Sequence, residues 1–125
     1  MFGRTRYLAL LLLAAVIFPA AVALAGDAEF ERAVALWDRG SFDSVMDSLE
    51  AHFAKHGREV GAGDLRSYAL KAAGLFDRVK NDRWTSGTPV PGETDNVRRF
   101  TRAEQYIDLY KTGSGAKLII SFGRR

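Results

Sequence analysis

The spacing of apolar residues changes once along this chain, and the change constrains the fold more than any other feature. Apolar side chains recur at helical spacing through residues 28–80 and then alternate with polar ones through residues 97–122. The intervening residues 81–96 contain the turn formers Ser86-Gly87, Pro89 and Pro91-Gly92 and no periodic apolar pattern, which predicts a loop. The sequence therefore predicts an α+β fold, in which amino-terminal helices pack on a small antiparallel β-sheet with meander topology.

Three helices are predicted before the loop. The first covers AEFERAVALWDR, residues 28–39. Ser41 is the expected N-cap of the second, FDSVMDSLEAHFAKH, and Gly57 is expected to end it in the left-handed conformation. Asp64 is expected to cap the third, LRSYALKAAGLFDRVK.

Three strands are predicted after the loop, at residues 97–102, 106–111 and 116–122. The sequence TGSG, residues 112–115, predicts a hairpin turn between the last two. Basic side chains outnumber acidic ones by seven to two between residues 96 and 125. This segregation predicts a basic sheet surface, which suits either a polyanionic ligand or simple solvation.

Residues 1–25 have the pattern of a secretory signal peptide. Arg4 and Arg6 precede an apolar run, and Ala23-Leu24-Ala25 provides small residues for cleavage before Gly26. An uncleaved membrane anchor is the alternative. We expect a secreted or periplasmic protein with one domain at residues 26–125 and no stable membrane association after cleavage. The chain contains no cysteine, so its core must be stable without disulfides.

The two histidines lie one helical turn apart in the stretch HFAKHG, residues 52–57. On a helical wheel His56 falls inside the apolar stripe, His52 at its edge and Lys55 on the polar side. His56 is therefore expected to bond to a packed partner. His52 is either an ordinary half-exposed residue or, beside the Lys55 ammonium, a group for proton transfer.

A metal site is a further interpretation of the two histidines. Side chains at positions i and i+4 of a helix can bind one ion together, but a third ligand is needed. Glu59 and Asp64 are the nearest candidates, and their spacing marks neither as a ligand. We therefore predict no metal.

The stretch HFAKHGREVGAGDLRSYALKAAGLF resembles the opening signature, HFxKHGxEFG, of a group of bacterial ribonuclease toxin domains. These domains belong to the barnase, EndoU, colicin and RelE-like superfamily. The resemblance spans residues 52–122 and includes an Arg-aromatic strand at Arg99-Phe100. The chain departs from the family pattern in three places: Val60 replaces its phenylalanine, Ser121 replaces the threonine of its last strand, and Arg102-Ala103-Glu104-Gln105 replaces the usual turn before the middle strand.

The resemblance implies metal-independent RNA cleavage, in which the ribose 2′-hydroxyl attacks the phosphorus and leaves a 2′,3′-cyclic phosphate. The implied catalytic residues are His52 for proton transfer, Lys55 and Arg99 for charge stabilisation, and Ser121 for hydrogen bonding to a phosphate oxygen. The substrate-binding candidates are His56, Arg98, Thr101, Tyr106 and Tyr110. Strand alternation places Arg99 and Thr101 on one face and Arg98 on the other, which favours Arg99 over Arg98.

No cofactor is expected, and the expected partners are RNA, with tRNA as one candidate, and a cognate immunity protein. The alternative hypothesis is a periplasmic binding or interaction module that has the same α+β shape but no catalytic activity. A His52→Ala change separates the two, because only the ribonuclease hypothesis predicts a folded, inactive variant.

Overall fold

The computed structural model describes residues 28–125 of the chain. The predicted signal peptide, residues 1–25, lies outside the described residues. In the described part, none of the helices combines the length and the apolar character that crossing a membrane requires. The chain forms three helices followed by a four-stranded antiparallel sheet, which confirms the predicted α+β class.

The elements follow the predicted order. The helices are α1 at residues 28–35, α2 at Val45–His56 and α3 at Leu65–Val79. The strands are β1 at Thr88–Pro89, β2 at Val97–Arg102, β3 at Gln105–Lys111 and β4 at Lys117–Arg124. Neighbours in sequence are neighbours in the sheet, so the sheet is a meander.

The ends of α2 differ from the prediction. Its N-cap is Ser44 rather than Ser41, because the extended backbone of Ser44 lets Oγ accept a hydrogen bond from the Asp47 backbone at 3.0 Å. Gly57 ends the helix as expected, but with φ −56° it is right-handed rather than left-handed. Asp64 caps α3 as predicted, with Oδ1 accepting from the Ser67 backbone at 2.7 Å.

The predicted loop at residues 81–96 contains two short elements. Trp84–Ser86 forms one turn of 3₁₀ helix, and β1 pairs with β2 as an edge strand. A two-residue strand is too short to give an alternating pattern, so the sequence carries no signal for it. Pro89 is compatible with its place in β1 because an edge strand has one side without ladder hydrogen bonds.

The sheet has two chemically different faces. The apolar face consists of Phe100, Ile107, Leu109, Ile119 and Phe122, all buried in the main hydrophobic core. Helix α3 covers this face, where the Tyr68 hydroxyl donates to the backbone oxygen of Phe122 at 2.5 Å. The opposite, polar face carries Arg99, Thr101, Tyr106, Asp108 and Ser121. The candidate site lies on this polar face.

A β-bulge in β4 decides which residues reach the polar face. Ile119 pairs with Leu109 and Ser121 pairs with Asp108, so Ile120 is an extra residue between two successive pairs. Strict alternation would place Ser121 on the same face as Ile119. The bulge instead places Ser121 opposite Asp108 and keeps Phe122 in the core.

The segment after α1 closes the edge of the sheet beside β4. Ile119 donates its backbone N–H to the oxygen of Leu36 at 2.7 Å, and the Asp38 backbone donates to the oxygen of Ile119 at 2.9 Å. These bonds occupy the backbone groups of Ile119 on the free side of β4, so this part of the edge is closed to pairing with other chains. They also fix the buried ring of Trp37 next to α2, where it contacts the His52 ring.

Candidate active site

His56 lies in the last turn of α2 and is buried, as its position in the apolar stripe predicted. Its Nδ1 lies 3.0 Å from Oε2 of Glu59, and its Nε2 lies 3.5 Å from the hydroxyl oxygen of Tyr106. The Tyr106 ring stands edge-on to the imidazole, with 6.1 Å between the ring centroids. The end of α2 therefore brings an imidazole to the polar face of the sheet.

Tyr106 connects His56 to the rest of the polar face. Its hydroxyl oxygen lies 3.3 Å from Oγ of Ser121, and the guanidinium carbon of Arg99 lies 3.8 Å from the centre of its ring. We call these five residues, Glu59, His56, Tyr106, Ser121 and Arg99, the histidine–tyrosine cluster. It joins α2, the turn after it, and strands β2, β3 and β4 in one continuous series of contacts.

A buried carboxylate orients the Arg99 side chain. Asp108 is only 4% exposed and accepts two hydrogen bonds from Arg99, at 2.7 Å from Nε and 2.9 Å from Nη2. This bidentate geometry fixes the plane of the guanidinium group over Tyr106, and the hydrogen bonds that Arg99 donates to Asp108 raise the Arg99 pKa. Nη1 of Arg99 has no hydrogen bond within residues 28–125, so it is available to an anion.

His52 has a defined tautomer. Its Nδ1 lies 2.7 Å from the backbone oxygen of Ser48. A carbonyl oxygen only accepts hydrogen bonds, so Nδ1 carries the proton and the neutral ring keeps its lone pair on Nε2. Burial lowers the His52 pKa, and the charges of His56 and Lys55 lower it further. The hydrogen bond to Ser48 and the charge of Asp108 oppose this shift. His52 is therefore neutral at neutral pH.

The two imidazole rings lie side by side along α2. Their centroids are 6.3 Å apart and their planes differ by 19°. The ring of His52 also contacts Phe42 at 5.9 Å and Trp37 at 5.6 Å between centroids. Packing on three sides thus holds His52 beside the histidine–tyrosine cluster.

His52 lines a cavity of about 420 Å³ between the helical layer and the sheet. Phe42 lies beside His52 on the helical side, and Val97 and Tyr110 contribute from the polar face. We call this space the His52 cavity. A ligand in it can contact both layers.

The structure brings together four of the predicted site residues, His56, Tyr106, Ser121 and Arg99, and places His52 next to them. Lys55 is exposed and has no hydrogen bond or ion pair in the described part of the chain. Its charge acts on the His52 pKa, so it is within electrostatic reach of the site.

The other candidates are not members of the cluster, although Thr101 pairs with Tyr106 across β2 and β3. Tyr110 belongs to the His52 cavity, and Thr101 lines a separate groove that it shares with Arg99. Arg98 lies on the face opposite to Arg99, where its Nη1 donates to the oxygen of Gly87 at 3.0 Å. The sheet separates Arg98 from His56.

Three residues of the site were not predicted as such. Glu59 follows His56 by three residues, a helical spacing at which side chains meet, but it was considered only as a metal ligand. Asp108 is the single charge in the strand YIDLY, which marks a special environment. No sequence pattern marked Gly123 as part of the site. A Cβ atom there would lie 3.0 Å from the Tyr106 hydroxyl and 3.1 Å from Oε2 of Glu59.

The cluster combines groups for proton transfer with groups for binding an anion. It contains an imidazole, a carboxylate, a guanidinium group and two hydroxyls, and the second imidazole, that of His52, lies beside it. Across residues 28–125, no three histidine or acidic side chains are arranged to hold a metal ion. Comparisons of the chain with family models, with curated proteins and with solved structures find no match.

Proposed function

We propose that this protein is a ribonuclease that cleaves RNA by attack of the ribose 2′-hydroxyl on the adjacent phosphorus. The observation that carries the proposal is the pair of parallel imidazoles 6.3 Å apart, whose Nδ1 atoms have different partners. Nδ1 of His52 faces a backbone carbonyl, whereas Nδ1 of His56 faces a carboxylate. The carbonyl places the proton of His52 on Nδ1 and leaves Nε2 as an acceptor, whereas the carboxylate stabilises a proton on Nδ1 of His56.

His52 fits the role of general base. Its pKa is lowered mainly by burial, and its lone pair is on Nε2 because Nδ1–H donates to Ser48. A neutral imidazole with a free lone pair accepts the proton of the 2′-hydroxyl as the oxygen attacks. The His52 cavity gives the sugar and base of the substrate a place beside this atom.

His56 fits the role of general acid. The Glu59 carboxylate at 3.0 Å stabilises the imidazolium form, which carries a proton on each nitrogen. The hydrogen bond from His56 is also the main reason why the Glu59 pKa is lowered, so the carboxylate is ionised at neutral pH. Nε2–H of His56 would then protonate the departing 5′-oxygen.

The negative charge that develops on the phosphorane would be stabilised by Arg99, Ser121 and Tyr106. In this step the 2′-oxygen–phosphorus bond forms, the phosphorus–5′-oxygen bond breaks, and one proton enters at His52 while another leaves from His56. Donors fixed before the reaction stabilise the transition state without reorganisation. Asp108 supplies this fixation for Arg99, and the exposed Lys55 adds positive charge near His52.

The proposal agrees with the resemblance of residues 52–122 to ribonuclease toxin domains of the barnase, EndoU, colicin and RelE-like superfamily. It changes the expected role of His56 from substrate binding to proton donation. It also adds Glu59 and Asp108 as residues that position His56 and Arg99.

The test is digestion of a short oligoribonucleotide by the purified protein in EDTA, followed by mass spectrometry of the new ends. We expect 2′,3′-cyclic phosphate and 5′-hydroxyl ends, and no cleavage of the all-deoxy oligonucleotide. His52→Gln and His56→Gln should each lower the rate by about 10² to 10⁴-fold. Arg32→Ala, which removes an exposed charge on α1, is the matched control and should keep the full rate.

Two results would overturn the ribonuclease proposal. One is RNA binding without any cleavage, which would favour the non-catalytic binding module. The other is full activity in folded His52→Gln and His56→Gln variants, which would remove both imidazoles from the reaction.

A further inference from the structure

A second site lies next to the histidine–tyrosine cluster, in a groove of about 600 Å³ between β2 and the segment that follows α3. Its basic residues are Arg83, Arg99, Arg102 and Arg125, and its hydroxyl residues are Ser86, Thr88 and Thr101. We call it the arginine groove. Arginine and hydroxyl side chains are the usual partners of phosphate oxygens.

The positive charge of this groove is only partly neutralised. In the part of the chain that the structure describes, Asp82 is the one acidic residue lining it, and it is already paired with Arg102 at 2.5 Å. Arg99 is paired with Asp108, but its Nη1 remains open. The exposed guanidinium groups of Arg83 and Arg125 have no acidic partner within the described residues. At least two cations in the groove are therefore available to a ligand.

Arg99 belongs to both the groove and the cluster. It lines the groove while its guanidinium carbon stacks on Tyr106, whose hydroxyl is within 3.5 Å of both His56 and Ser121. Neighbouring strands are about 4.8 Å apart, so Arg99 in β2 and Ser121 in β4 are separated by roughly 10 Å. A short oligonucleotide can span this distance, so one ligand can occupy both places.

The His52 cavity, on the other side of the two imidazoles, has the opposite charge. Among the described residues, Asp38 and Glu93 line it together with the neutral imidazole of His52, and no lysine or arginine does. Two carboxylates repel phosphate, whereas they accept hydrogen bonds from the amino and imino groups of a nucleobase. The flanking phosphates of a bound strand therefore have a favourable place on the groove side only.

We propose that the arginine groove is a second phosphate subsite, which holds the backbone of single-stranded RNA on one side of the cleaved linkage. This inference rests on the proposed function, because it places the scissile phosphate at the histidine–tyrosine cluster. Substrates extended toward the groove should bind more tightly than a dinucleotide, whereas extension in the other direction should add little.

The first experiment compares the purified protein on a dinucleotide and on oligoribonucleotides extended by three nucleotides at either the 5′ or the 3′ side of one cleavable ribose. One extension should raise kcat/KM at least tenfold over the dinucleotide, mainly through KM. In the Arg83→Ala/Arg125→Ala variant the ratio of extended substrate to dinucleotide should fall toward one. Equal effects of both extensions, or an unchanged ratio in the variant, would overturn the subsite.

The second experiment measures binding of a non-cleavable 2′-O-methyl oligonucleotide by fluorescence anisotropy at several salt concentrations. Each lost phosphate contact should reduce the slope of log affinity against log salt by about 0.7. Arg83→Ala should therefore show a smaller slope, and Arg32→Ala should show the wild-type slope. An unchanged slope for Arg83→Ala would remove it from the groove contact. Absence of cleavage with an intact salt effect would instead count against the ribonuclease proposal alone.

Discussion

Oε2 of Glu59 lies 3.0 Å from Nδ1 of His56 at the end of α2. The same carboxylate oxygen accepts a hydrogen bond from the Arg124 backbone at 3.3 Å. Glu59 is thus tied both to the imidazole and to the last strand of the sheet. This link keeps the His56 ring aligned with the polar face.

Replacement of Glu59 by glutamine should weaken RNA cleavage without unfolding the protein. Glutamine keeps the hydrogen-bonding oxygen but removes the charge that stabilises the imidazolium. We expect the rate of RNA cleavage to fall roughly 10 to 100-fold. Glu59→Asp should restore part of the rate. Full activity in a folded Glu59→Gln protein would show that the carboxylate does not act on His56.

Replacement of Gly123 by alanine should disturb the histidine–tyrosine cluster by crowding Tyr106 and Glu59. The new methyl group would lie 3.0 Å from the Tyr106 hydroxyl and 3.1 Å from Oε2 of Glu59, closer than ordinary contacts. We expect a loss of about 1 to 3 kcal/mol in the free energy of unfolding, together with reduced cleavage. Denaturant titration and the RNA assay check the two effects.

Gly113→Ala is the matched control for Gly123, because a Cβ atom at Gly113 meets nothing within 4 Å. It should leave both stability and cleavage close to the wild-type values. Similar losses in the two variants would mean that the close approach at Gly123 has no special role.

Replacement of Asp108 by asparagine should release the Arg99 guanidinium group. Asparagine offers one acceptor in place of two and leaves the arginine without its countercharge. Because the Arg99 side chain remains 36% exposed, we expect a moderate loss of about 1 to 3 kcal/mol rather than the larger penalty of a fully buried unpaired charge. Cleavage should fall in the same variant at temperatures where it is fully folded. A fully active, fully stable Asp108→Asn protein would contradict this account.

The protein should lose stability on mild acidification because of His52. Its pKa is lowered from 6.5 in the folded state, so the unfolded chain binds a proton there more readily. Stability from this group is complete above about pH 6.5 and is lost as the pH falls through the folded pKa. Lys55 and His56 on the same helix add to the effect, and Asp108 from β3 opposes it.

Thermal unfolding at about pH 7.5 and about pH 5.5 measures this dependence. The midpoint should fall more in the wild-type protein than in His52→Gln, which has no proton to bind at that position. Glu59 also titrates with a lowered pKa, but it does so in both proteins and at lower pH. An identical acid shift in the two proteins would exclude His52 as its source.

Periodicity was enough to predict the helices, three of the strands and the burial of His56. A helical wheel uses only contacts within one element, and α2 buries the side that its wheel indicates. To predict the pairing of His56 with Glu59, one also needs the path of the backbone beyond the end of α2. The contacts that join His56 to Tyr106, and Tyr106 to Arg99, depend on the register between strands. Alternation within a single strand does not determine that register.

Alternation predicted which residues of β2 lie on each face of the sheet, but it did not do so for β4. Arg99 and Thr101 share the polar face as alternation required, and Arg98 lies opposite. Ser121 was placed in the site only by the family resemblance, because alternation alone assigns it to the side of Ile119. The bulge that moves it arises from tertiary packing of Ile119 and Phe122 in the same core, which no local pattern records.

The bulge at Ile120 makes the length of the last strand as important as its composition. Removing Ile120 would restore plain alternation and would keep the Ser121 hydroxyl on the polar face and the Phe122 ring in the core. Inserting one further residue there would instead turn the Ser121 hydroxyl into the hydrophobic interior and the Phe122 ring out to water. The protein should therefore tolerate conservative replacements along this strand, and loss of the bulge residue, better than an added residue.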